Sequence, residues 1–129
     1  MIRLGSAAGY LFEGPRLLGG WTPPAVPAVY VIMYRLVPSS RHAVIYVDHA
    51  DDLTAAGFPF RHPRAGCWAA RAGGRWSVCV AWFVVPGGNR SHREQITTEL
   101  ISMYEPHCNT QKYDPAWHPS WIGSTPKEP

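Results

Sequence analysis

Two tyrosines, the second of them followed by a carboxylate and an imidazole, are the features of this chain best able to do chemistry. Tyr30 lies in Val29-Tyr30-Val31-Ile32, and Tyr46 opens Tyr46-Val47-Asp48-His49. Two phenols on neighbouring strands make a polar pocket, or else two sheet tyrosines that pack their rings and bond their hydroxyls locally. Asp48 and His49 place a carboxylate and an imidazole beside Tyr46. With Asp52 they form an acid–base or cation-holding set if one turn gathers them. Arg61-His62-Pro63-Arg64 is a basic loop suited to phosphate contact. Arg90, His92 and Arg93 open a helical stretch, where the helix N-terminus favours anions. Glu94 follows them as a carboxylate for a hard divalent cation, or as a helix cap. Cys67 has His62 upstream as a candidate base, against the alternative of a buried, inert thiol. His107 and His118 lack the spacing of a zinc site.

The elements that must position these groups are short. Ala28 to Leu36, rich in Val, Ile and Tyr, reads as a strand. Pro38-Ser39-Ser40 turns the chain into a second strand from His42 to Val47, which Asp48 ends. Alternation places Tyr46 with Val44 on one face, and Ile45 with Val47 on the other. Asp51 to Ala56 reads as a short helix capped by an aspartate and stopped by Gly57. Cys67 to Arg71 reads as an edge segment. Trp76 to Val85, apolar on both sides, reads as a central strand. A long helix then starts at Asn89 or Ser91, with Ser91 and Glu94 in capping-box spacing. Ile96, Leu100, Ile101 and Tyr104 share its apolar face, and Pro106 ends it. Residues 1–27, punctuated by Gly9, Gly14-Pro15, Gly19-Gly20 and Pro23-Pro24, read as an irregular arm. The tail from Thr110 is irregular too.

A chain of 129 residues is expected to form one domain with a real core. Charged residues are only 16% of it, and the formal net charge of +3 permits a phosphate-bearing partner without requiring one. The odd number of cysteines (Cys67, Cys79 and Cys108) argues against a disulfide framework and for a reduced, cytoplasmic home. No apolar run reaches membrane-spanning length. Of the six tryptophans, Trp76 and Trp82 are expected in the core or on a sheet face. Trp117 and Trp121 are the better stacking surfaces, or anchors for the tail.

Ala28-Val29-Tyr30, then Tyr46-Val47-Asp48, then Leu100-Ile101 with Pro106 and Asn109, resemble in order and spacing the GIY-YIG nuclease domain. The resemblance covers residues 28–109. It implies an α/β (α+β) fold in which a three-stranded antiparallel sheet is flanked by helices, with arm 1–27 and tail 110–129 outside it. It implies that Tyr30 and Tyr46 organise a nucleophilic water, and that Asn109 supports the site. The family's phosphate-stabilising arginine falls at Ala56 and its metal-binding glutamate at Thr97, so the resemblance is to a degenerate member. Asp48 replaces the glycine of the second signature and adds negative charge. Arg61 and Glu94 are the nearest substitutes, and Mg2+ or another divalent cation is implied only if they sustain cleavage.

The expected function is binding of nucleic acid or another phosphate-bearing ligand in the old cleft, without ordinary metal-dependent strand cleavage. Arg64, Arg90, Arg93 and Asn109 are the expected contacts. One alternative is an active enzyme: a divergent endonuclease using Arg61 and Glu94, or a small-molecule enzyme using Tyr30, Tyr46, Asp48 and His49. Another is a protein-interaction module built from exposed tryptophans and the proline-rich arm.

Overall fold

The computed structural model describes residues 1–6, 9–35 and 41–109, and the backbone of 121–122. Six strands form one antiparallel sheet: β1 (Ile2–Leu4), β2 (Tyr10–Leu17), β3 (Ala28–Arg35), β4 (His42–Ala50), β5 (Val78–Phe83) and β6 (Trp121–Ile122). Their spatial order is β1-β2-β5-β3-β4-β6. Helix α1 (Ala65–Ala72) lies between β4 and β5, and α2 (Arg90–Tyr104) follows β5. The mixed α and β class holds, but the expected three-stranded sheet does not.

The extra strands come from the expected arm. Ile2 pairs with Phe12 between β1 and β2, and β2 pairs with β5 from Glu13↔Trp82 to Leu17↔Cys79. Gly14 and Pro15, taken from sequence as breakers, sit in an irregularity of this pairing between Glu13 and Arg16. A bulge tolerates residues that a regular ladder does not. The arm buries Leu4, Phe12, Leu18 and Trp21, so it is part of the core rather than a wrapping.

β3 is the centre of the sheet, paired with β4 on one edge and β5 on the other. Its residues from Ala28 to Met33 are all fully or almost fully buried. Alternation splits them between two cores. Tyr30 and Ile32 join Trp21, Leu53, Trp68, Val80 and Trp82 on the face covered by α1. Val29, Val31 and Met33 join Phe12, Ala81, Ile96 and Leu100 on the face covered by α2. In β4 the expected alternation fails. Tyr46 pairs with Ile32, but the next partners are Val44 and Met33, so Ile45 is an extra residue. The bulge turns Ile45 and Tyr46 to the α1 face and leaves Val44 and Val47 on the α2 face.

Four local expectations also change. Cys67 to Arg71 is helical, because α1 is an alanine-rich run with high helix propensity that Gly73 ends in the left-handed conformation. Trp76 lies in a 3-10 turn before β5 rather than in the strand, and is 74% exposed. The cap of α2 is Asn89, whose side chain accepts from the His92 N–H, while Glu94 pairs with Arg90 instead of boxing with Ser91. The helix predicted after β4 is a single 3-10 turn, Leu53–Ala55, capped by Asp52. Trp117, His118 and the side chain of Trp121 lie outside the described residues, and no helix among the described residues is long and apolar enough to cross a membrane.

Beyond its short pairing with β6, the outer edge of β4 is closed by the chain just after α2. Asn109 accepts from the Val47 N–H at 2.9 Å and donates to the Val47 carbonyl at 2.7 Å, so one carboxamide imitates a paired strand. Next to it, Cys108 is bonded to Cys67 of α1. This overturns the reading of three free thiols; only Cys79 is free, and it is buried. Spacing could not reveal the bond, because the two cysteines meet across the fold, 41 residues apart in sequence. A cross-link over that separation restricts the unfolded chain by about 3–4 kcal/mol on loop-closure grounds. Cys67→Ser is therefore expected to lower the urea midpoint under non-reducing conditions. Reduced parent protein should behave like the variant, and equal midpoints for variant and oxidised parent would show that the bond contributes nothing.

Candidate active site

Tyr30 is fully surrounded by sheet and by the loop before α1, so its hydroxyl needs a polar partner inside the protein. His62 supplies it, with Nε2 at 3.0 Å from the Tyr30 hydroxyl. The loop is shaped to deliver that ring. Gly57 has φ of +96°, and a Cβ there would stand 3.0 Å from the His62 nitrogen. Only glycine allows both this backbone conformation and this approach. The Arg61 N–H then bonds the Gly57 carbonyl at 2.8 Å, closing the turn. The imidazole lies against Trp68, with centroids 4.6 Å apart, and against Tyr46 at 5.1 Å.

The protons in this cluster can be ordered by counting donors. The Arg64 N–H donates to His62 Nδ1 at 3.0 Å. In the neutral ring Nε2 therefore carries the hydrogen and donates it to Tyr30. Tyr46 donates to Asp48 Oδ2 at 2.9 Å, and Asp48 Oδ1 accepts from the His49 N–H at 2.8 Å. Tyr30 and Tyr46 face each other beside these bonds, with ring centroids 6.1 Å apart. Tyr30 has its own hydrogen left to donate, and Tyr46 has an oxygen left to accept one. The result is two bonded pairs side by side with the same polarity: His62 to Tyr30, and Tyr46 to Asp48.

Electrostatics keep both phenols protonated. Burial raises the Tyr30 hydroxyl far above its ordinary value, and the neighbouring Tyr46 and Asp48 raise it further. Burial also raises Tyr46, with the Asp48 charge adding to it and the Arg64 guanidinium opposing it. Burial lowers His62; the Asp48 charge opposes that shift and the Arg64 charge reinforces it. At neutral pH the set is two neutral phenols, a neutral imidazole, a carboxylate and one nearby guanidinium. It can donate hydrogen bonds to an anion or relay a proton, but it offers no phenolate base. The indole N–H of buried Trp68, in the same wall, has no acceptor among the described residues.

The expected site residues divide between the two faces of the sheet. Tyr30, Tyr46 and Asp48 come together as expected, and Arg64 joins them. Arg61, expected to reach the phosphate, is exposed, and Arg64 is the arginine whose charge is felt at Tyr46. His49 points to the opposite face, where its Nδ1 lies 3.3 Å from Arg93 Nη1. Arg93 is 3% exposed and bonded to Asp51. That bond is the first cause holding the Asp51 carboxyl below its usual range. Arg93 is thus an internal group rather than a free ligand contact. Arg90 and Glu94 pair with each other at 3.0 Å on the solvent side of α2, away from both tyrosines. Thr97, where the resemblance places a metal-binding glutamate, turns its hydroxyl inward, buried and without a partner among the described residues. Asn109 has both amide groups engaged by Val47, so it supports β4 instead of meeting a ligand. Among the described residues, no three His, Cys, Asp or Glu side chains gather as a metal site.

His62 is the residue that sequence reasoning underrated. The sequence offers it as one member of a basic phosphate-contacting loop and as a base for Cys67, which is disulfide-bonded, but not as the partner of Tyr30. The usable signal was a histidine between two arginines, after a glycine that a tight turn required.

Comparisons with protein-family models, with curated proteins and with solved structures found no match.

The depressed His62 value has a defined consequence for stability. In the unfolded chain the ring titrates near its ordinary 6.5; in the folded protein it titrates lower. Below that value the unfolded state binds the extra proton, so stability rises with pH and is lost on acidification. A second cost comes with the proton, because charged His62 no longer accepts from the Arg64 N–H. Denaturation midpoints of the parent are expected to fall between pH 7 and pH 5, and His62→Phe should flatten that slope. An identical slope in the variant would place the titrating group elsewhere.

Proposed function

We propose that this chain binds nucleic acid through the face carrying α1, on a GIY-YIG-like framework, and does not cleave it by the ordinary metal-dependent route. The observation that carries this reading is the sorting of charge by the sheet. His62 and the Arg64 guanidinium stand with Tyr30, Tyr46 and Asp48 on the α1 face, while Glu94 is tied to Arg90 on the other side. The order of a tyrosine-bearing hairpin, a helix, a strand and a long helix supports the GIY-YIG likeness, as does the meeting of the two tyrosines across β3 and β4. The charge pattern supports a polyanionic partner. From Leu53 to Arg93 the chain has no carboxylate, yet it carries Arg61, Arg64, Arg71, Arg75, Arg90 and Arg93. Exposed arginines there attract phosphate by releasing counterions. The single carboxylate at the site, Asp48, is offset by the donors that converge on it. The Cys67–Cys108 bond favours an oxidising compartment over a cytoplasmic home.

One observation favours a second reading, an acid–base enzyme acting on a small molecule: His62 bonds Tyr30 and Asp48 bonds Tyr46, with the two phenols facing each other between them. The imidazole and the carboxylate are both partly exposed.

Fluorescence anisotropy with labelled single-stranded and duplex oligonucleotides tests the proposal. Binding should weaken steeply with salt. The double variant Arg61→Ala/Arg64→Ala should bind about tenfold more weakly and reduce the log–log salt slope by roughly 2. The same samples with Mg2+ should leave the strands intact. Absence of binding at low salt would contradict the proposal, and scission abolished by Glu94→Gln would restore the metal route.

A further inference from the structure

Trp76 is the largest exposed apolar side chain among the described residues, at 74%. Leu17, 60% exposed, and Pro15 line one cavity with it, so the indole belongs to an apolar patch rather than standing singly. It is also held in place. A Cβ on Gly19 would meet the indole Cζ3 at 3.0 Å and Phe60 at 3.8 Å, so the indole rests on glycine backbone beside Phe60. The Arg75 guanidinium carbon sits 4.7 Å from the Phe60 centroid and 6.0 Å from that of Trp76. A fixed ring next to an exposed cation presents a flat apolar surface with positive charge at its rim.

The indole also walls a cavity of about 450 Å³ at the end of the sheet opposite Asp48, with Pro15, Leu17, Arg35 and His42 on its other sides. Small-molecule sites span roughly 300–1,000 Å³, so the space admits one planar ring system with an attached sugar phosphate. Arg35 is an exposed cation there, at the end of β3. Phe60, which touches this group, is the neighbour of Arg61 in the basic loop.

We infer that this cleft takes an unpaired nucleobase, stacked on Trp76, with the attached phosphate held by Arg35 and Arg75. The partner is therefore single-stranded nucleic acid in preference to duplex, since a paired base does not expose its face to an indole. This inference rests on the proposed α1-face function and adds to it the strand state of the ligand and a site at the other end of the sheet.

The test compares a short pyrimidine single strand with its duplex by anisotropy, using the parent protein, Trp76→Ala, Trp76→Phe and Arg35→Ala. Single strand should bind tighter than duplex. Trp76→Ala should weaken single-strand binding about tenfold or more and leave duplex binding unchanged, because stacking on an aromatic ring is lost. Trp76→Phe should retain most of the affinity, which separates loss of stacking from loss of fold. Arg35→Ala should lower the salt slope by about 1. Binding that depends on Arg61 and Arg64 but is equal in the parent and both Trp76 variants would overturn this inference alone. Duplex bound as tightly as single strand would overturn it too. No binding of either form at low salt would overturn the α1-face reading along with it.

Discussion

A buried phenol on a doubly paired strand is the constraint from which the candidate site follows. β3 is hydrogen-bonded along both edges and covered on both faces, so the Tyr30 hydroxyl cannot reach bulk water. Leaving it unpaired would cost about 1–3 kcal/mol. The protein satisfies it with a loop that folds back over the sheet, and that loop brings His62, Arg64 and the start of α1 with it. Tyr46 arrives on the same face only because Ile45 is bulged out of the β3–β4 register. The polar cluster is thus a consequence of the core, and the core cannot be rearranged without unpairing it.

The same sheet separates two sets of charges that look contiguous in sequence. Asp48 and His49 are neighbours in the chain but face opposite sides of β4, one toward Tyr46 and the other toward Arg93. The α2 group is spent on structure: Arg93 bridges to Asp51, and the pair ties the helix to the segment after β4. Its burial makes it a costly group to disturb, since an arginine stripped of its partner would remain in a low-dielectric setting. The exposed Arg90–Glu94 pair contributes little beside it. Among the described residues, those of the α1 loop, the turn before β5 and Arg35 at the end of β3 are left able to meet a ligand.

Legibility from sequence followed the length and regularity of each element. β3 and the apolar face of α2 were readable because their periodicity runs for several residues, and an aspartate cap was readable, though not which of Asp51 and Asp52 supplies it. β1 and β2 were not, because glycine and proline in an irregular stretch mimic a loop. α1 was hidden by brevity and by the cysteine and tryptophan within it. The two tyrosines were found, but their partner was missed, since His62 reaches them through a turn set by Gly57 rather than through any motif. Trp76 reads as a core residue because the apolar run begins there; the 3-10 turn Arg75–Ser77 holds it ahead of the strand, with the indole outward. Arg93 was read as a surface cation because nothing in the sequence marks Asp51 as its partner.

The central claim is that ligand meets the α1 face of the sheet and not the α2 face. Nuclear magnetic resonance of isotope-labelled protein, titrated with a short single-stranded oligonucleotide, tests it most directly. The account predicts shifts at the Arg61 and Arg64 amides, the His62 ring and the Trp76 indole, with Arg90, Glu94 and Thr97 unmoved. Shifts confined to the amides at the start of α2, with the His62 ring silent, would contradict it.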